Sequence, residues 1–324
     1  MLWETISVVR DLPRLHEIAS VLIRYGWGDL VRLLRIGGML ERAGRVLHWQ
    51  STSEISQLDA PVRIRRALEE LGPAFVKLGQ LLATRVDLFP PHWVAEFEKL
   101  HNQVPPVPYE RMHDELVAAL GGEPDELFAS FDPVPIAAAS IAQVYRATLK
   151  DGTPVVVKAR RPGIEHVIHA DLRILEHAAR LLESEVPDSR RYDPVHIVSQ
   201  FRRSLGRELD LVKEARNIDQ FARDFAEDPL VKIPRVYWKF TGQRVNVQEE
   251  ISGLAGVSGE RLRAAGLDPR LLAARGADAV LRMVLVHGYF HADPHPGNVL
   301  FLPDNRIGII DFGMVGMLTH HRRN

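Results

Sequence analysis

Two short apolar runs near the C-terminal end constrain the fold of this chain more than any other stretch. The first run is Val299–Leu302, the second covers residues 307–310, and the Pro-Asp-Asn sequence between them is a turn signal. This pattern predicts a hairpin of two buried strands. Asn298 precedes the first strand and Asp311 follows the second, so we expect the hairpin to bring both side chains to one edge of a site.

Three polar residues around this hairpin have the types and the order that phosphoryl transfer needs. Asp293 and Asn298 flank a four-residue spacer, and Asp311 opens an Asp-Phe-Gly turn. Mg²⁺ prefers hard oxygen ligands and keeps several waters, so one amide oxygen and one carboxylate from the protein suffice. Asp293 would orient or deprotonate the nucleophile, as in protein kinases. The pattern therefore predicts ATP and Mg²⁺ as cofactors, with Asp293 catalytic and with Asn298 and Asp311 as metal ligands.

The same stretch allows two simpler interpretations. His291, Asp293 and His295 resemble a metal-ligand cluster in their spacing, and a lone Asp-Phe-Gly sequence is usually only a turn. The chain has no cysteine, and no further ligand lies nearby in the sequence. We therefore expect the two histidines to shape the loop rather than to bind zinc.

A second predicted hairpin supplies a lysine. Residues 136–149 and 154–159 form its strands around a Lys-Asp-Gly-Thr turn, and a run of valines leads to Lys158. Because burying an unpaired ammonium is costly, Lys158 needs an anionic partner, either nucleotide phosphates or a helix glutamate. Glu214 lies in a helix predicted over residues 194–226 and is a candidate, although its position fits a solvated surface residue equally well.

The loop before this lysine strand is rich in alanine where protein kinases have glycine. Its members are Ala137, Ala138, Ala139 and Ser140. Small residues let a backbone approach phosphates, but alanine adopts a positive φ poorly. We therefore expect nucleotide geometry and preference to differ from those of an ordinary kinase.

Composition excludes several classes of protein. The 324 residues are 46% hydrophobic, which is enough for a sizeable core and for two domains or one two-lobed domain. The 41 basic and 42 acidic residues balance, so nucleic acid is not an expected partner. No apolar run is long enough to span a membrane, and no signal peptide is evident, while Glu4 and Asp11 argue against a transit peptide. We expect a cytoplasmic protein that could lie peripherally at the inner membrane.

Residues 1 to about 50 show helical apolar spacing, including Leu15, Ile18 and Leu22, with arginines interleaved. We favour helices that pack on the rest of the chain. The alternative is an amphipathic helix on a membrane surface, with Trp3, Trp27 and Trp49 at the interface.

Residues 61–101 form the next predicted helical block. Lys77 and Gln80 share one helix face, and spacing alone would make them a surface pair. Gly79 weakens a helix, so we expect another backbone to approach closely there.

Further helices are predicted at 109–120, 163–184 and across 258–288, and further strands at 231–236 and 244–253. The second of these strands contains Glu249 and ends at Gly253, a predicted hinge between lobes.

Several separated motifs follow one another along the chain. They are Lys77-Leu-Gly-Gln80, the alanine-rich loop, Lys158, Glu208-Leu-Asp210, Glu214, and the loop and turn described above. From about residue 10 to the end, this order resembles the UbiB/AarF/ADCK family of atypical protein-kinase-like proteins.

The resemblance implies that Lys158 positions Mg-ATP, that Glu214 pairs with it, and that the alanine-rich loop and Glu249 belong to the nucleotide site. In the family, the helix with the KxGQ motif, which matches Lys77–Gln80 here, covers the site where a protein substrate would enter. The residues of the ExD motif, which match Glu208 and Asp210, meet that helix. The resemblance thus places Lys77, Gln80, Glu208 and Asp210 among the catalytic residues. It disfavours phosphorylation of proteins in trans and is associated with ATPase activity or an unorthodox kinase role.

The fold class expected from these features is α+β, a protein-kinase-like two-lobed fold. The expected segments are N-terminal amphipathic helices at 1–60, a KxGQ extension at 61–125, an N-lobe with a helical insertion at 126–253, and a partial C-lobe at 254–324. Family members usually continue beyond this length, so we expect an incomplete C-lobe with exposed apolar surface.

Three functions remain open at this point. The first is an ATPase or unorthodox kinase that supports ubiquinone or isoprenoid-lipid metabolism. The second is a nucleotide-binding pseudoenzyme or a scaffold of a biosynthetic complex, and the third is a true small-molecule or protein kinase. Expected partners are ATP, an isoprenoid lipid or a membrane surface, ubiquinone-biosynthesis proteins and a second copy of the chain.

Overall fold

The computed structural model describes residues 7–42, 44, 47, 55, 57–100 and 104–318. Its α-helices are, in chain order, α1 (Ser7–Arg24), α2 (Gly28–Leu33), α3 (Ile36–Arg42), α4 (Ala60–Leu71), α5 (Pro73–Ala83), α6 (Pro91–Phe97), α7 (Tyr109–Leu120), α8 (Pro124–Leu127), α9 (Ile164–Glu185), α10 (Pro194–Glu208), α11 (Leu211–Asp224), α12 (Gly259–Ala264) and α13 (Pro269–Leu281). A π-helical turn, Arg282–His287, continues α13.

The strands are β1 (Ser130–Phe131), β2 (Ala137–Ala138), β3 (Ala142–Thr148), β4 (Pro154–Arg160), β5 (Val231–Lys232), β6 (Val245–Glu249), β7 (Leu254–Ala255), β8 (Tyr289–His291), β9 (Val299–Leu302), β10 (Arg306–Ile309) and β11 (Val315–Met317). The mixture of helices with largely antiparallel sheets, in which only the described β5–β10 pairing is parallel, confirms the expected α+β class.

The chain divides into two compact units. The first unit comprises Met1–Pro105, Ala139–Ile141 and Gly163–Gly206, and the second comprises Pro106–Ala138, Ala142–Pro162 and Arg207–Asn324. This division crosses the four segments expected from the sequence, because α7 belongs to the second unit and α9 to the first. The four segments themselves stay a prediction.

In the first unit, α1 packs against its helical neighbours along the face predicted from the sequence. Leu15, Ile18 and Leu22 are all buried, together with Ala19 and Ile23. The apolar stripe of α1 is therefore used inside the protein, which supports packing over the membrane-surface alternative.

Trp27 also packs within this unit, with its ring edge-on to Trp93 at a centroid distance of 6.2 Å. Trp3 and Trp49, the other two rings of the membrane alternative, lie outside the described residues. No helix in the described part of the chain has the length and apolarity needed to cross a bilayer.

A buried ion pair joins three helices of the first unit. Arg14 on α1 donates from Nε to Asp171 Oδ1 at 2.7 Å and from Nη2 to Asp171 Oδ2 at 3.1 Å, and it also donates to the carbonyl of Leu71 at the end of α4. Burial raises the pKa of Asp171 on α9 to about 6, although the Arg14 charge opposes that shift.

The second unit contains a sheet with the strand order β1-β3-β4-β6, in which β2 pairs with β3. The predicted valine-rich hairpin is confirmed as β3 and β4, which are antiparallel. Side chains alternate across β4, so Val155 and Val157 face a core with Met112 and Leu116 of α7, while Lys158 faces the opposite side.

A second sheet has the order β5-β10-β9-β7 and contains the predicted C-terminal hairpin. Arg306 pairs with Leu302 and Ile309 with Val299, so β9 and β10 are antiparallel as expected. The open end of this hairpin therefore lies between Asn298 and Ile310, immediately before Asp311.

The single helix predicted over residues 194–226 is wrong, because α10 ends at Glu208 and α11 begins at Leu211. Asp210 has an extended backbone, with φ −107° and ψ 93°, and its Oδ1 accepts a hydrogen bond from the Val212 N–H at 3.2 Å. Aspartate is a strong N-cap residue, and capping of α11 explains the break.

Several large apolar side chains of the second unit are exposed. Leu281, Leu285 and Val286 at the end of α13 and in the π-helical turn are more than half exposed, and Met317 is 75% exposed.

Candidate functional site

The centre of the candidate site is an ion pair between Lys158 on β4 and Glu214 on α11. Lys158 Nζ lies 2.8 Å from Glu214 Oε1, and both side chains are largely buried, with 16% and 5% of their surface exposed. Glu214, the candidate partner named from the sequence, is therefore the carboxylate that contacts Lys158 in the structure.

Asp311 adds a second carboxylate to the same lysine. Its Oδ1 lies 3.3 Å from Lys158 Nζ and also accepts a hydrogen bond from the Gly313 N–H at 3.3 Å. The backbone of Asp311 has a φ of +58°, a value that residues other than glycine rarely adopt. About half of the Asp311 side chain remains exposed, so its carboxylate is accessible to a ligand.

These three groups combine one cation with two carboxylates. Burial raises the pKa of Glu214 to about 7, the charge of Asp311 contributes in the same direction, and the charge of Lys158 opposes both. Burial alone would lower the pKa of Lys158, but the charges of Asp311 and Glu214 outweigh it and raise that pKa. A cation bound next to Asp311 would offset the excess negative charge.

The hairpin brings Asn298 to the same place. The Ile310 N–H donates to the carbonyl of Asn298 at 2.9 Å, so Asp311 follows directly after a residue bonded to Asn298. Asn298 is buried, and its Nδ2 donates to the carbonyl of Asp293 at 3.1 Å. Because the amide nitrogen is engaged in this way, the Oδ1 oxygen is the atom left for a cation. An amide oxygen and an accessible carboxylate form a donor set that fits Mg²⁺.

His291 connects the loop that holds Asp293 to the Asp-Phe-Gly turn. Its Nδ1 accepts a hydrogen bond from the Asp293 N–H at 3.1 Å, so Nε2 carries the proton and donates to the carbonyl of Asp311 at 2.8 Å. His295 Nδ1 accepts from the Gly297 N–H at 3.0 Å. Both histidines thus shape their loop, in agreement with the expectation from the sequence.

Asn217 is a positioning residue that sequence reasoning missed. Its Nδ2 donates to the carbonyl of Phe312 at 2.8 Å, and its Oδ1 accepts from the Tyr289 hydroxyl at 2.7 Å. Asn217 lies three residues after Glu214, on the same face of α11. The three-residue spacing between Glu214 and Asn217 is the sequence signal that could have identified it.

The remaining nucleotide-site candidates occupy different surroundings. Ala137 and Ala138 form β2, Ser140 is buried, and none of residues 137–140 has a positive φ. Glu249 ends β6, where it contacts Lys232 Nζ at 2.7 Å and accepts from the Arg235 N–H at 3.1 Å. Nucleotide binding by these residues stays a prediction.

The ExD residues lie where α10 gives way to α11. Glu208 is the last residue of α10, and its charge contributes to the raised pKa of Glu214. Asp210 caps α11, the helix that carries Glu214. A catalytic role for Glu208 and Asp210 stays a prediction.

Lys77 and Gln80 belong to the first unit, and both are half-buried on α5. Gln80 Nε2 donates to the carbonyl of Leu100 at 3.0 Å. The backbone approach expected at Gly79 is wrong, because a Cβ there would instead meet side chains, Leu100 Cδ1 at 2.2 Å and Leu68 Cδ1 at 2.9 Å. The catalytic role of Lys77 and Gln80 stays a prediction.

Comparison with known proteins gives a consistent result. Residues 99–324 match the family model of the ABC1 atypical kinase-like domain. The chain is 40% identical over 312 residues to a Marinobacter nauticus protein named "Probable protein kinase UbiB", covering 95% of this chain and 57% of that protein. A Pseudomonas aeruginosa protein of the same name is 38% identical over 312 residues, covering 94% and 58%. The chain thus spans a little over half the length of these relatives.

A solved structure of Rv3197 from Mycobacterium tuberculosis, in complex with erythromycin, is also similar. It aligns with a TM-score of 0.54 and 31% identity, over 77% of this chain and 63% of that one.

Proposed function

The chain belongs to the ABC1 atypical kinase-like family, and from that premise we propose that it binds Mg-ATP and catalyses phosphoryl transfer, as an ATPase or an unorthodox kinase. The observation that carries this proposal is the convergence of Lys158, Glu214, Asp311 and Asn298 within the second unit. Each of these residues has a separate task in the reaction.

Lys158 supplies the positive charge for the nucleotide phosphates, and Glu214 holds its ammonium in place. Asp311 and Asn298 offer the oxygen atoms that would bind Mg²⁺. When bound, Mg²⁺ would offset the negative charge of the phosphates. Asp293 orients or deprotonates the attacking hydroxyl or water, and His291 fixes the Asp293 backbone relative to Asp311.

The resemblance to UbiB-type proteins extends the proposal to a physiological role. We propose that the activity supports ubiquinone biosynthesis or the handling of another isoprenoid lipid, at a membrane surface that the chain contacts peripherally. The name that the two bacterial relatives share, "Probable protein kinase UbiB", supports the ubiquinone-related part of this proposal.

The test compares the chain with its Asp311→Asn variant and with Asp304→Asn as a matched control. Asp304 is an exposed residue in the turn of the same hairpin, and its φ of +60° suits asparagine. Mg-ATP should raise the melting temperature of the wild type and of the control, and both should hydrolyse ATP, with and without liposomes. Asp311→Asn should lose the magnesium-dependent part of both effects.

The outcomes separate the functions that the sequence left open. Stabilisation by Mg-ATP without hydrolysis would favour the nucleotide-binding pseudoenzyme or scaffold. Phosphorylation of an added substrate that depends on Asp293 would favour a true kinase. Stabilisation and turnover that are unchanged in Asp311→Asn would overturn the assignment of the site.

A further inference from the structure

The second unit contains an open groove of about 760 Å³ that none of the predicted nucleotide or metal residues lines. Its walls are one face of α11, the end of the π-helical turn, and the paired strands β8 and β11. A volume of this size lies within the range of small-molecule binding sites.

One wall of the groove is cationic. Arg216 and Arg223 are exposed and lie two helical turns apart on α11, so they point to the same side. In the part of the chain that the structure describes, neither guanidinium is paired with a carboxylate, and Arg223 only donates to Gln220 Oε1 at 2.8 Å. Guanidinium groups with free donors bind carboxylates in a bidentate geometry.

The acidic residue between these arginines is already engaged. Asp219 Oδ2 accepts a hydrogen bond from Trp238 Nε1 at 2.8 Å. With two arginines against one aspartate, the α11 wall has a net charge of +1, which suits a head group with a single negative charge.

The other wall is apolar. Tyr289, Met317 and Leu318 line it, and Met317 is the most exposed large apolar side chain in the described part of the second unit. An exposed apolar surface beside free cations is complementary to a molecule with an anionic head and an apolar tail.

The groove is bonded to the Asp-Phe-Gly turn through two of its lining residues. Tyr289 and Asn217 both line the groove. The Tyr289 hydroxyl donates to Asn217 Oδ1, and Asn217 Nδ2 donates to the carbonyl of Phe312 in the turn. Phe312 is fully buried against Phe221, so this turn has little freedom to move independently. A ligand that holds Tyr289 and Asn217 in place therefore also holds the backbone next to Asp311.

We propose that this groove binds a carboxylate with an apolar tail, and that its occupancy tightens Mg-nucleotide binding through Asn217 and the Phe312 carbonyl. The proposal of carboxylate binding stands on the groove alone, and the proposal of tighter Mg-nucleotide binding rests on the proposed function. Binding linkage requires that Mg-nucleotide tighten carboxylate binding by the same factor.

The binding test uses decanoate below its micellar concentration, with the uncharged 1-decanol as a comparison. The indole N–H resonance of Trp238 is a local reporter, because this group contacts Asp219 in the groove wall. Trp27 and Trp93 lie in the first unit and act as internal references. Decanoate should shift the Trp238 resonance saturably and leave those of Trp27 and Trp93 unchanged, whereas 1-decanol should bind at least tenfold more weakly.

The matched variants are Arg216→Gln with Arg223→Gln, and Arg261→Gln, which removes an exposed arginine from α12 in the same unit. The double variant should weaken decanoate binding at least tenfold in calorimetry, and Arg261→Gln should leave it unchanged. Equal decanoate affinity in the double variant, or equal affinity for 1-decanol, would overturn the site.

The second arm measures the dissociation constant of Mg-ATP without decanoate and at decanoate concentrations that saturate each variant. In the wild type, decanoate should lower this constant about fivefold or more, within the usual range of coupling between sites. Tyr289→Phe lacks the hydroxyl that bonds to Asn217, so it should lose this effect even when saturated. An unchanged constant in the wild type would overturn the link. If the wild type binds no Mg-ATP, the proposed function fails, while the decanoate titration still decides the groove.

Discussion

Gly79 in the KxGQ helix has two leucine side chains packed into the space that a Cβ would need. A Cβ at this position would lie 2.2 Å from Leu100 Cδ1 and 2.9 Å from Leu68 Cδ1. Ordinary contacts between carbon atoms begin at about 3.5 Å, so Leu100 would have to move by more than ~1 Å. Both leucines are buried, with 4% and 6% exposure, so neither has solvent into which it can turn.

We therefore predict that Gly79→Ala destabilises the first unit. Overpacking in a core costs about 1–3 kcal/mol, while replacing a helical glycine with alanine returns about 1 kcal/mol. The net loss should be up to about 2 kcal/mol, which lowers the urea midpoint by up to roughly 1 M at a typical slope of about 2 kcal/mol/M. Tryptophan fluorescence reports this unit, because Trp27 and Trp93 lie in it and Trp238 is the one tryptophan outside it.

Two further variants test the reasoning behind this prediction. In a Leu100→Ala background most of the clash is removed, so Gly79→Ala should become neutral or stabilising by up to about 1 kcal/mol. Gly206→Ala is the matched control, because Gly206 lies in α10 of the same unit and a Cβ there meets nothing within 4 Å. It should be neutral or stabilising. A stabilising Gly79→Ala in the wild type, or an equal effect in both backgrounds, would refute the packing argument.

Three other changes have defined outcomes. Because the folded-state pKa of Glu214 is raised to about 7, its folded form binds the proton more tightly, so stability falls as pH rises from about 4.5 through about 7. Glu214→Gln should lack this decline, which urea unfolding of the metal-free chain at pH 5 and pH 8 measures. The same change in unfolding free energy between pH 5 and pH 8 in both proteins would contradict the prediction. Arg14→Met leaves Asp171 without its cation, and the pKa of that carboxyl is already about 6 beside Arg14. The free energy of unfolding lost by the variant should therefore grow by up to ~1.4 kcal/mol for each pH unit above 6. Urea unfolding followed by tryptophan fluorescence at pH 5, 7 and 8 measures it. A loss independent of pH would show that removing Arg14 leaves the pKa of Asp171 unchanged. Asp210→Ala should cost about 1 kcal/mol through loss of the α11 cap, whereas Asp210→Asn should keep the cap. If the ExD motif is catalytic, Asp210→Asn should lower ATP turnover although its stability is unchanged. Full activity of this variant would show that Asp210 acts only as the N-cap of α11.

Local patterns were sufficient to predict the elements that carry the site. The hairpin of β9 and β10 and the hairpin of β3 and β4 follow from apolar runs around turn residues, and the structure has both. The pairing of Lys158 with Glu214 could be anticipated because a buried ammonium needs an anion, although spacing alone left the alternative of a solvated glutamate open.

The contacts that escaped prediction join residues distant in the sequence. The side chains that fill the space at Gly79 come from Leu68 and Leu100, and no periodic pattern specifies which neighbours those are. The bond from Asn217 to the Phe312 carbonyl spans 95 positions, and it depends on how α11 lies against the Asp-Phe-Gly turn. The break between α10 and α11 was missed for a different reason, because the apolar spacing continues through Leu209 and hides the capping role of Asp210.

That break gives α11 a central position in the chemistry. Asp210 fixes where the helix begins, Glu214 in its first turn holds Lys158, and Asn217 one turn later holds the backbone of Phe312. A small rotation or shift of α11 would therefore move the lysine that faces the phosphates and the turn that presents Asp311 at the same time. If Mg-ATP binds as proposed, nucleotide affinity should depend on the order of this one helix, and backbone amides of residues 211–217 should gain hydrogen-exchange protection when Mg-ATP is added. Protection confined to the hairpin of β9 and β10, with α11 unchanged, would show that the metal-binding residues respond independently of the lysine.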